Sequence, residues 1–297
     1  MSLLWRNLPG KLRMSPIVGI KFKPMCGRYV LVQKVELLEK RFNVKAPPGF
    51  EYKPSYNISP GSLAAVITNE NPRQLDLLRF GMTPFWAKKP VILINARTEG
   101  DHNPEDNPEY SGAKGIIIKP SFRKPIRSQR CLVLADCFIE GTTKEKLSKP
   151  FVVYLKEGER PFTFAGIWDT WLNPETGEIV RSFAIITTVA NDLLQKIPHH
   201  RSPVILPRSM EQAWINNDIP LSDVTGMLRP YPADLMNAYP ISPAIKNPRA
   251  EGPELLKPTG QRLTPEYETR KSEDVNLQGM GMNKRLKQQQ DYLEFEL

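Results

Sequence analysis

Met25-Cys26-Gly27-Arg28-Tyr29 is the stretch with the most evident chemistry. A start at Met25 places a small residue second, the situation in which an initiator methionine is trimmed, and Cys26 then becomes N-terminal. The α-amine of such a residue titrates at about 7.7–8.0 and its thiol at about 8.5, so both are usable nucleophiles near neutrality. Together they can trap an aldehyde. The amine condenses to a Schiff base, and the neighbouring thiol adds to the same carbon and closes a five-membered thiazolidine. The competing reading of Cys26 is a structural cysteine buried on a first strand.

Three other clusters carry groups suited to proton transfer or phosphate binding. The apolar run from Arg130 to Gly141 ends on Glu140; partial desolvation there favours the protonated carboxyl and suits it to general acid and base work. Asp136 competes for that role, because parity on one continuous strand puts it on the same face as Glu140. His199 and His200 stand together ahead of a second apolar run, and imidazole suits proton transfer near pH 7. With only His102 elsewhere they make a weak zinc site, and no metal or other cofactor is expected. Asn95 and Arg97 supply a carboxamide and a guanidinium at a strand end. Arg28, Arg97 and Arg201 could clamp phosphates, and Phe85 and Trp86 could stack on an unpaired base. Taken singly, surface salt bridges and a core tryptophan explain these residues equally well.

The elements that must position these groups are mostly strands. Gly27 to Gln33 reads as a strand and Val35 to Phe42 as a short amphipathic helix. Residues 63–67 and 75–80 read as a hairpin around the turn-rich segment Asn69 to Pro72. Further strands are expected over 91–96, 131–139, 151–155, 162–168 and 183–189, several apolar on both faces and therefore central. The polar stretch between Thr98 and Arg130 reads as a long functional loop or a surface helix. Helices are expected over 191–195, 209–216 and 221–227. No internal repeat is visible.

Composition agrees with this plan. At 297 residues with 40% hydrophobic and 25% charged side chains, the chain is neither wholly disordered, collagen-like nor a coiled coil. Proline, at 29 residues, is about twice its usual share of roughly 5%, which disfavours long helices and favours turns and edge strands. The formal net charge of +9 favours an anionic partner, but Arg6, Lys11, Arg13, Lys21 and Lys23 carry five of those charges in an acid-free N-terminal segment. The three cysteines, Cys26, Cys131 and Cys137, have no metal-ligand spacing and leave an odd count for disulfides, which fits a reducing, cytoplasmic compartment. No secretory signal or membrane-length apolar run is present. The division expected is an N-terminal extension over 1–24, one domain over 25–262 and a polar, disordered tail over 263–297.

In order along the chain, the resemblance is carried by Met-Cys-Gly-Arg-Tyr at 25–29, Tyr56-Asn57-Ile58-Ser59-Pro60-Gly61 and Phe80-Gly81-Met82-Thr83-Pro84-Phe85-Trp86. It continues through Ile94-Asn95-Ala96-Arg97-Thr98-Glu99, Cys137-Phe138-Ile139-Glu140-Gly141, Phe164-Ala165-Gly166-Ile167-Trp168 and His199-His200-Arg201-Ser202-Pro203-Val204-Ile205-Leu206. Together these resemble the SRAP family, the SOS response-associated peptidases, whose members are abasic-site processing proteins. The resemblance spans roughly 25–255, and Ile241-Ser242-Pro243-Ala244-Ile245-Lys246-Asn247 resembles the family's closing motif. The expected fold is α+β: a single β-rich domain of mainly antiparallel, barrel-like sheet with peripheral helices.

The resemblance implies a monomeric protein that binds single-stranded DNA containing abasic sites, including at replication-fork junctions, and crosslinks to the aldehyde through Cys26. It implies that Asn95 positions the amine or sugar, Glu140 shuttles protons, and His199 assists opening of the deoxyribose ring. Arg28, Arg97 and Arg201 hold phosphates, with Phe85 and Trp86 near the distorted strand. Peptidase and lyase-like chemistry belong to the same implication.

Two departures bear on this. While Met25 stays attached, the Cys26 nitrogen is an amide and forms no Schiff base, so either translation begins at Met25 or the extension is removed, with self-cleavage by the Cys26 thiol as one route. Ser202 stands where the family usually has Met or Arg, and Pro198 precedes the histidines, which leaves His199 and His200 as alternatives for the catalytic imidazole. Two other functions compete: a non-covalent single-stranded-DNA-binding module using the same Arg and aromatic residues, and a cysteine peptidase acting on other proteins.

Overall fold

The computed structural model describes residues 27–156 and 160–266. Its strands are β1 (Arg28–Leu31), β2 (Ser55–Ile58), β3 (Leu63–Thr68), β4 (Asp76–Phe80), β5 (Asn95–Arg97), β6 (Arg130–Ala135), β7 (Cys137–Thr142), β8 (Lys146–Leu155), β9 (Phe162–Leu172), β10 (Ile179–Val189), β11 (Arg201–Pro203), β12 (Ile205–Leu206) and β13 (Met236–Pro240). The helices are short: α1 (Val35–Phe42), α2 (Pro125–Ser128), α3 (Asp192–Lys196), α4 (Arg208–Ile215) and α5 (Leu221–Gly226).

The pairings β3–β4, β4–β10, β10–β9, β9–β6 and β6–β3 close on themselves, so these strands form a barrel with no free edge among them. β5, β11 and β12 attach to it through β10 and β9. A second, wholly antiparallel sheet runs β13-β8-β7-β1-β2. This is the expected α+β, mainly antiparallel and barrel-like architecture. The strands predicted to be central are so: every residue of β6 is buried.

Alternation along β1 and β7 decides which groups meet. Tyr29, Leu31 and Phe138 face the main core, whereas Val30, Cys137 and Ile139 face a second cluster with Tyr239, Ile245 and Leu256. Edge-to-face contacts of Tyr29 and Phe138 with Phe164, centroids 5.9 and 5.8 Å apart, lock the second sheet onto the barrel. By the same parity Glu140 projects on the Phe138 side, and Arg28 on the opposite side.

The single strand expected over 131–139 is in fact two strands in different sheets. The chain leaves the barrel at Ala135 and enters the second sheet at Cys137. Asp136 at the crossing is fully buried, accepts hydrogen bonds from the Val32 amide at 2.7 Å and from Gln33 Nε2 at 3.0 Å, and donates its own amide to the Val30 carbonyl. The parity argument that made Asp136 a rival of Glu140 fails for that reason. The strand expected from Val91 begins only at Asn95, with Leu93 bridged to Met82. β13 went unpredicted, and beyond it the packed chain continues through Glu266, which accepts from Tyr154 Oη at 2.7 Å. The N-terminal extension and the rest of the tail lie outside the described residues.

Burial pushes the Asp136 carboxyl up from 3.8 to about 6, against the pull of its hydrogen bonds. Because the folded value exceeds the unfolded one, this group's contribution is full below about pH 4 and declines as pH rises through about 6. The stability of the wild type relative to Asp136→Asn, measured by urea unfolding, is expected to fall by about 3 kcal/mol between about pH 4 and pH 7. A difference that stays flat across that window contradicts the assignment.

Candidate active site

Glu140 and His199 form the centre of the site. His199 follows α3, whose first turn is capped by Asn191 Oδ1 accepting from the Leu194 amide at 3.0 Å, and the His199 amide donates to the Leu194 carbonyl at 3.0 Å. These bonds fold the segment back over β7. Both side chains are buried, at 4% and 5% residue exposure, and His199 Nε2 lies 3.2 Å from Glu140 Oε1. The Arg201 carbonyl lies 2.9 Å from His199 Nδ1 and can only accept, which favours a proton on Nδ1 over the longer 3.4 Å approach of the Arg201 amide. Nε2 then faces the carboxyl at hydrogen-bond distance, the arrangement of a general acid–base unit. Glu140 Oε2 is also buried and has no hydrogen-bond partner among the described residues. An orphaned acceptor of this kind is costly in a folded protein and fits a partner that arrives with the substrate. After Glu140 the strand needs glycine: a Cβ on Gly141 would stand 2.0 Å from the Lys146 carbonyl oxygen.

The two histidines diverge. His200 is partly exposed, with Nδ1 2.9 Å from Thr143 Oγ1 and Nε2 3.3 Å from Asp106 Oδ2. Burial lowers its pKa, with Asp106 opposing the shift and His199 adding to it. It is His199, and not His200, that meets Glu140.

Arg201 is fully buried; its guanidinium grips both Glu99 oxygens and reaches Thr187 Oγ1 at 3.4 Å. Burial pushes the Glu99 carboxyl up, but the hydrogen bonds and charge of Arg201 outweigh it and hold the carboxyl below its ordinary value. Since the Arg201 carbonyl orients His199, the Glu99–Arg201 pair supports the His199 imidazole from behind. Glu99→Gln leaves a buried guanidinium without its main counter-charge and is expected to cost about 3 kcal/mol or more in urea unfolding. A loss under about 1 kcal/mol would mean that Asp106, 3.4 Å from Arg201, suffices.

Arg97 is partly exposed; one of its nitrogens donates to the Asn103 carbonyl at 2.8 Å and pairs with Asp106. Asn95 lies two residues before it on the same face of β5, opposite Ile185 of β10. β11, which begins at Arg201, pairs with β10 as well, so β5 and β11 are at most two strand spacings apart, about 10 Å. Arg28 is not brought to this group. On the far face of the second sheet it donates to Asn57 Oδ1 at 2.5 Å and to the carbonyls of Ile245 and Lys246 at 2.8 and 2.9 Å.

Phe85 and Trp86 sit in the turn after β4, held by the Phe85 amide on Asp169 Oδ2 at 2.9 Å, and their side chains are 51% and 52% exposed. Both rings are therefore presented to solvent on a braced turn and are not part of a core. Cys26 lies outside the described residues. Cys131 and Cys137 are free and fully buried, and burial drives both thiols well above their ordinary range, so neither is a nucleophile. Among the described residues no cluster of His, Cys, Asp and Glu is arranged to hold a metal ion, and no helix is long and apolar enough to cross a membrane.

Sequence reasoning missed Asp106, which gathers Arg97, Arg201 and His200, and Thr143 beside His200. The length and polarity of the loop after Thr98 were its only signal, because a carboxylate in a polar loop has no periodicity to mark it.

Comparison with known proteins adds an independent line. The family model for SOS response associated peptidase (SRAP) matches residues 25–248. Abasic site processing protein YoqW of Bacillus subtilis is 36% identical over 240 residues, covering 78% of this chain and 99% of YoqW. Abasic site processing protein YedK of Escherichia coli is 27% identical over 241 residues, covering 79% of this chain and all of YedK. The crystal structure of a protein from Bacteroides thetaiotaomicron superposes with a TM-score of 0.67 at 26% identity, over 79% of this chain and 100% of that one.

Proposed function

The chain belongs to the SRAP family, and from that premise we propose that it captures abasic sites in single-stranded DNA as a covalent thiazolidine on Cys26. One observation carries the reading: a buried His199–Glu140 pair with an unsatisfied carboxylate oxygen, on the strand beside β1. The register pairs Arg28 with Ile139, so Gly27 comes next to Glu140 in sequence of pairing, and Cys26 precedes Gly27 by one peptide bond. The inertness of Cys131 and Cys137 leaves Cys26 as the thiol available for capture.

His199 assists opening of the deoxyribose hemiacetal by moving a proton through Nε2, which exposes the C1′ aldehyde. The Cys26 amine adds to C1′, and Glu140 protonates the carbinolamine hydroxyl so that it leaves as water and a C=N bond forms. The thiol then adds its sulfur to the same carbon while its proton passes to nitrogen. The balance is one C–N and one C–S bond formed and one water released. A Schiff base alone invites β-elimination and strand breakage; sulfur capture diverts it to a stable adduct. The amine must be free for this, so the reactive chain is one that begins at Cys26.

Asn95 positions the amine or the sugar, Arg97 holds a phosphate, and Phe85 and Trp86 stack on the distorted strand. Arg201, whose guanidinium grips Glu99, fixes the wall behind His199 instead of touching phosphate, and Arg28, held on Asn57 and two backbone carbonyls, braces the far face of the second sheet.

The test is a denaturing gel of the chain beginning at Cys26, mixed with a single-stranded oligonucleotide carrying one abasic site. A heat-stable shifted band that is absent with the undamaged oligonucleotide is expected. Native binding without any covalent band would make the protein a non-covalent binding module.

A further inference from the structure

We infer that Lys88, Lys89, Arg123, Lys124 and Arg127 form a track for the phosphate backbone of the single strand where it leaves the abasic site. The inference rests on the DNA reading above and adds a surface that reading does not use.

All of these side chains lie on exposed residues, and none forms an ion pair among the described residues. Neighbouring cations are treated differently: Lys119 pairs with Asp101, Arg181 with Glu70 and Asp76, and Arg130 is buried on backbone carbonyls. Cations held together without counter-charge repel one another, and a polyanion relieves that repulsion.

The group is continuous with the stacking platform. The Lys124 ammonium lies 4.6 Å from the centroid of the Phe85 ring, and Lys88 and Lys89 follow Trp86 after a single residue, Ala87. On the other side a depression of about 530 Å³ is lined by Ile117, Ile118, Arg123, Lys124, Arg127 and Ser128, with no carboxylate. Ile118, 61% exposed, gives it an apolar floor. Cations on the rim and an apolar floor beside exposed aromatics match a single strand, which presents phosphates and unstacked bases together.

The platform is rigid. Pro125 and Ile126 of α2 are buried, and Arg130 clamps the helix by donating to the carbonyls of Ile126 at 3.0 Å and Arg127 at 2.7 Å. Arg127 itself donates to the Ile117 carbonyl at 2.8 Å, which orients its guanidinium along the depression.

The test compares the wild type with the combined variant Arg123→Gln, Lys124→Gln and Arg127→Gln, and separately with Lys88→Gln and Lys89→Gln, which replace exposed loop side chains. Binding of an undamaged single-stranded oligonucleotide is measured against salt concentration, alongside adduct formation by the wild type with the abasic oligonucleotide. Removing three phosphate contacts is expected to lower the slope of log K against log salt by about 2. Thermal unfolding verifies that the variants fold. If the wild type forms adduct and both variants keep its salt slope, the track is overturned while the function stands. If the slope falls but the wild type forms no adduct, the track stands and the covalent reading falls.

Discussion

Cys26→Ser is expected to reduce the heat-stable adduct to background while leaving an adduct that borohydride can trap. Serine keeps the N-terminal amine and is small enough for the same methionine trimming, so condensation with the aldehyde continues. Its hydroxyl is a far weaker nucleophile than a thiol, and the oxazolidine it would form is the less stable ring. The Schiff base therefore persists, and strand cleavage by β-elimination should rise as the stable adduct disappears. Quantifying adduct and nicked oligonucleotide on one denaturing gel, with and without reductant, reads both effects. A full-strength heat-stable adduct from the serine variant would contradict capture by sulfur.

Glu140→Gln should lower the single-turnover rate of adduct formation by about 10²- to 10³-fold, the range of a lost general acid–base group. The amide keeps the size of the carboxyl and still reaches His199, 3.2 Å away, but it neither accepts nor releases a proton at neutral pH. Binding of undamaged DNA should be unchanged, which separates chemistry from affinity. Because His199 and Glu140 are in direct contact and act as one unit, adding His199→Gln should slow the reaction much less than the product of the single effects. A rate for Glu140→Gln within about threefold of the wild type would remove Glu140 from the proton path.

Local pattern made part of this architecture readable before any coordinates. α1 runs from Val35 to Phe42 as its spacing predicts, because Leu38 and Phe42 fall on one buried face. The β3–β4 hairpin was marked by two apolar runs around a polar turn, and its register pairs Leu63 with Arg79. The apolar run through Asp136 misled because a chain crossing between two packed sheets stays buried on both sides of the crossing. Hydropathy has no sign for a change of sheet. β13 was hidden for a different reason: Met236-Asn237-Ala238-Tyr239-Pro240 has no clean alternation, and its pairing with β8 is long-range.

The site was legible in its central residues and not in their support. Glu140 stood out, with Asp136 as its rival, as a carboxylate in an apolar run, and His199 and His200 stood out together ahead of another, the choice between them left open. That Arg201 would be buried on Glu99, and would present its carbonyl to His199, follows only from β10 holding β5 and β11 on its two sides. An arginine at a strand end looks the same in sequence whether it meets a phosphate or a buried carboxylate.

The most direct measurement is intact mass before and after mixing the protein, expressed from Met1 and separately from Met25, with a single-stranded oligonucleotide carrying one abasic site. The account predicts a species at the summed mass less one water, from the chain that begins at Cys26 alone. Such a species from a chain that still carries Met25, or none from either folded form, would contradict it.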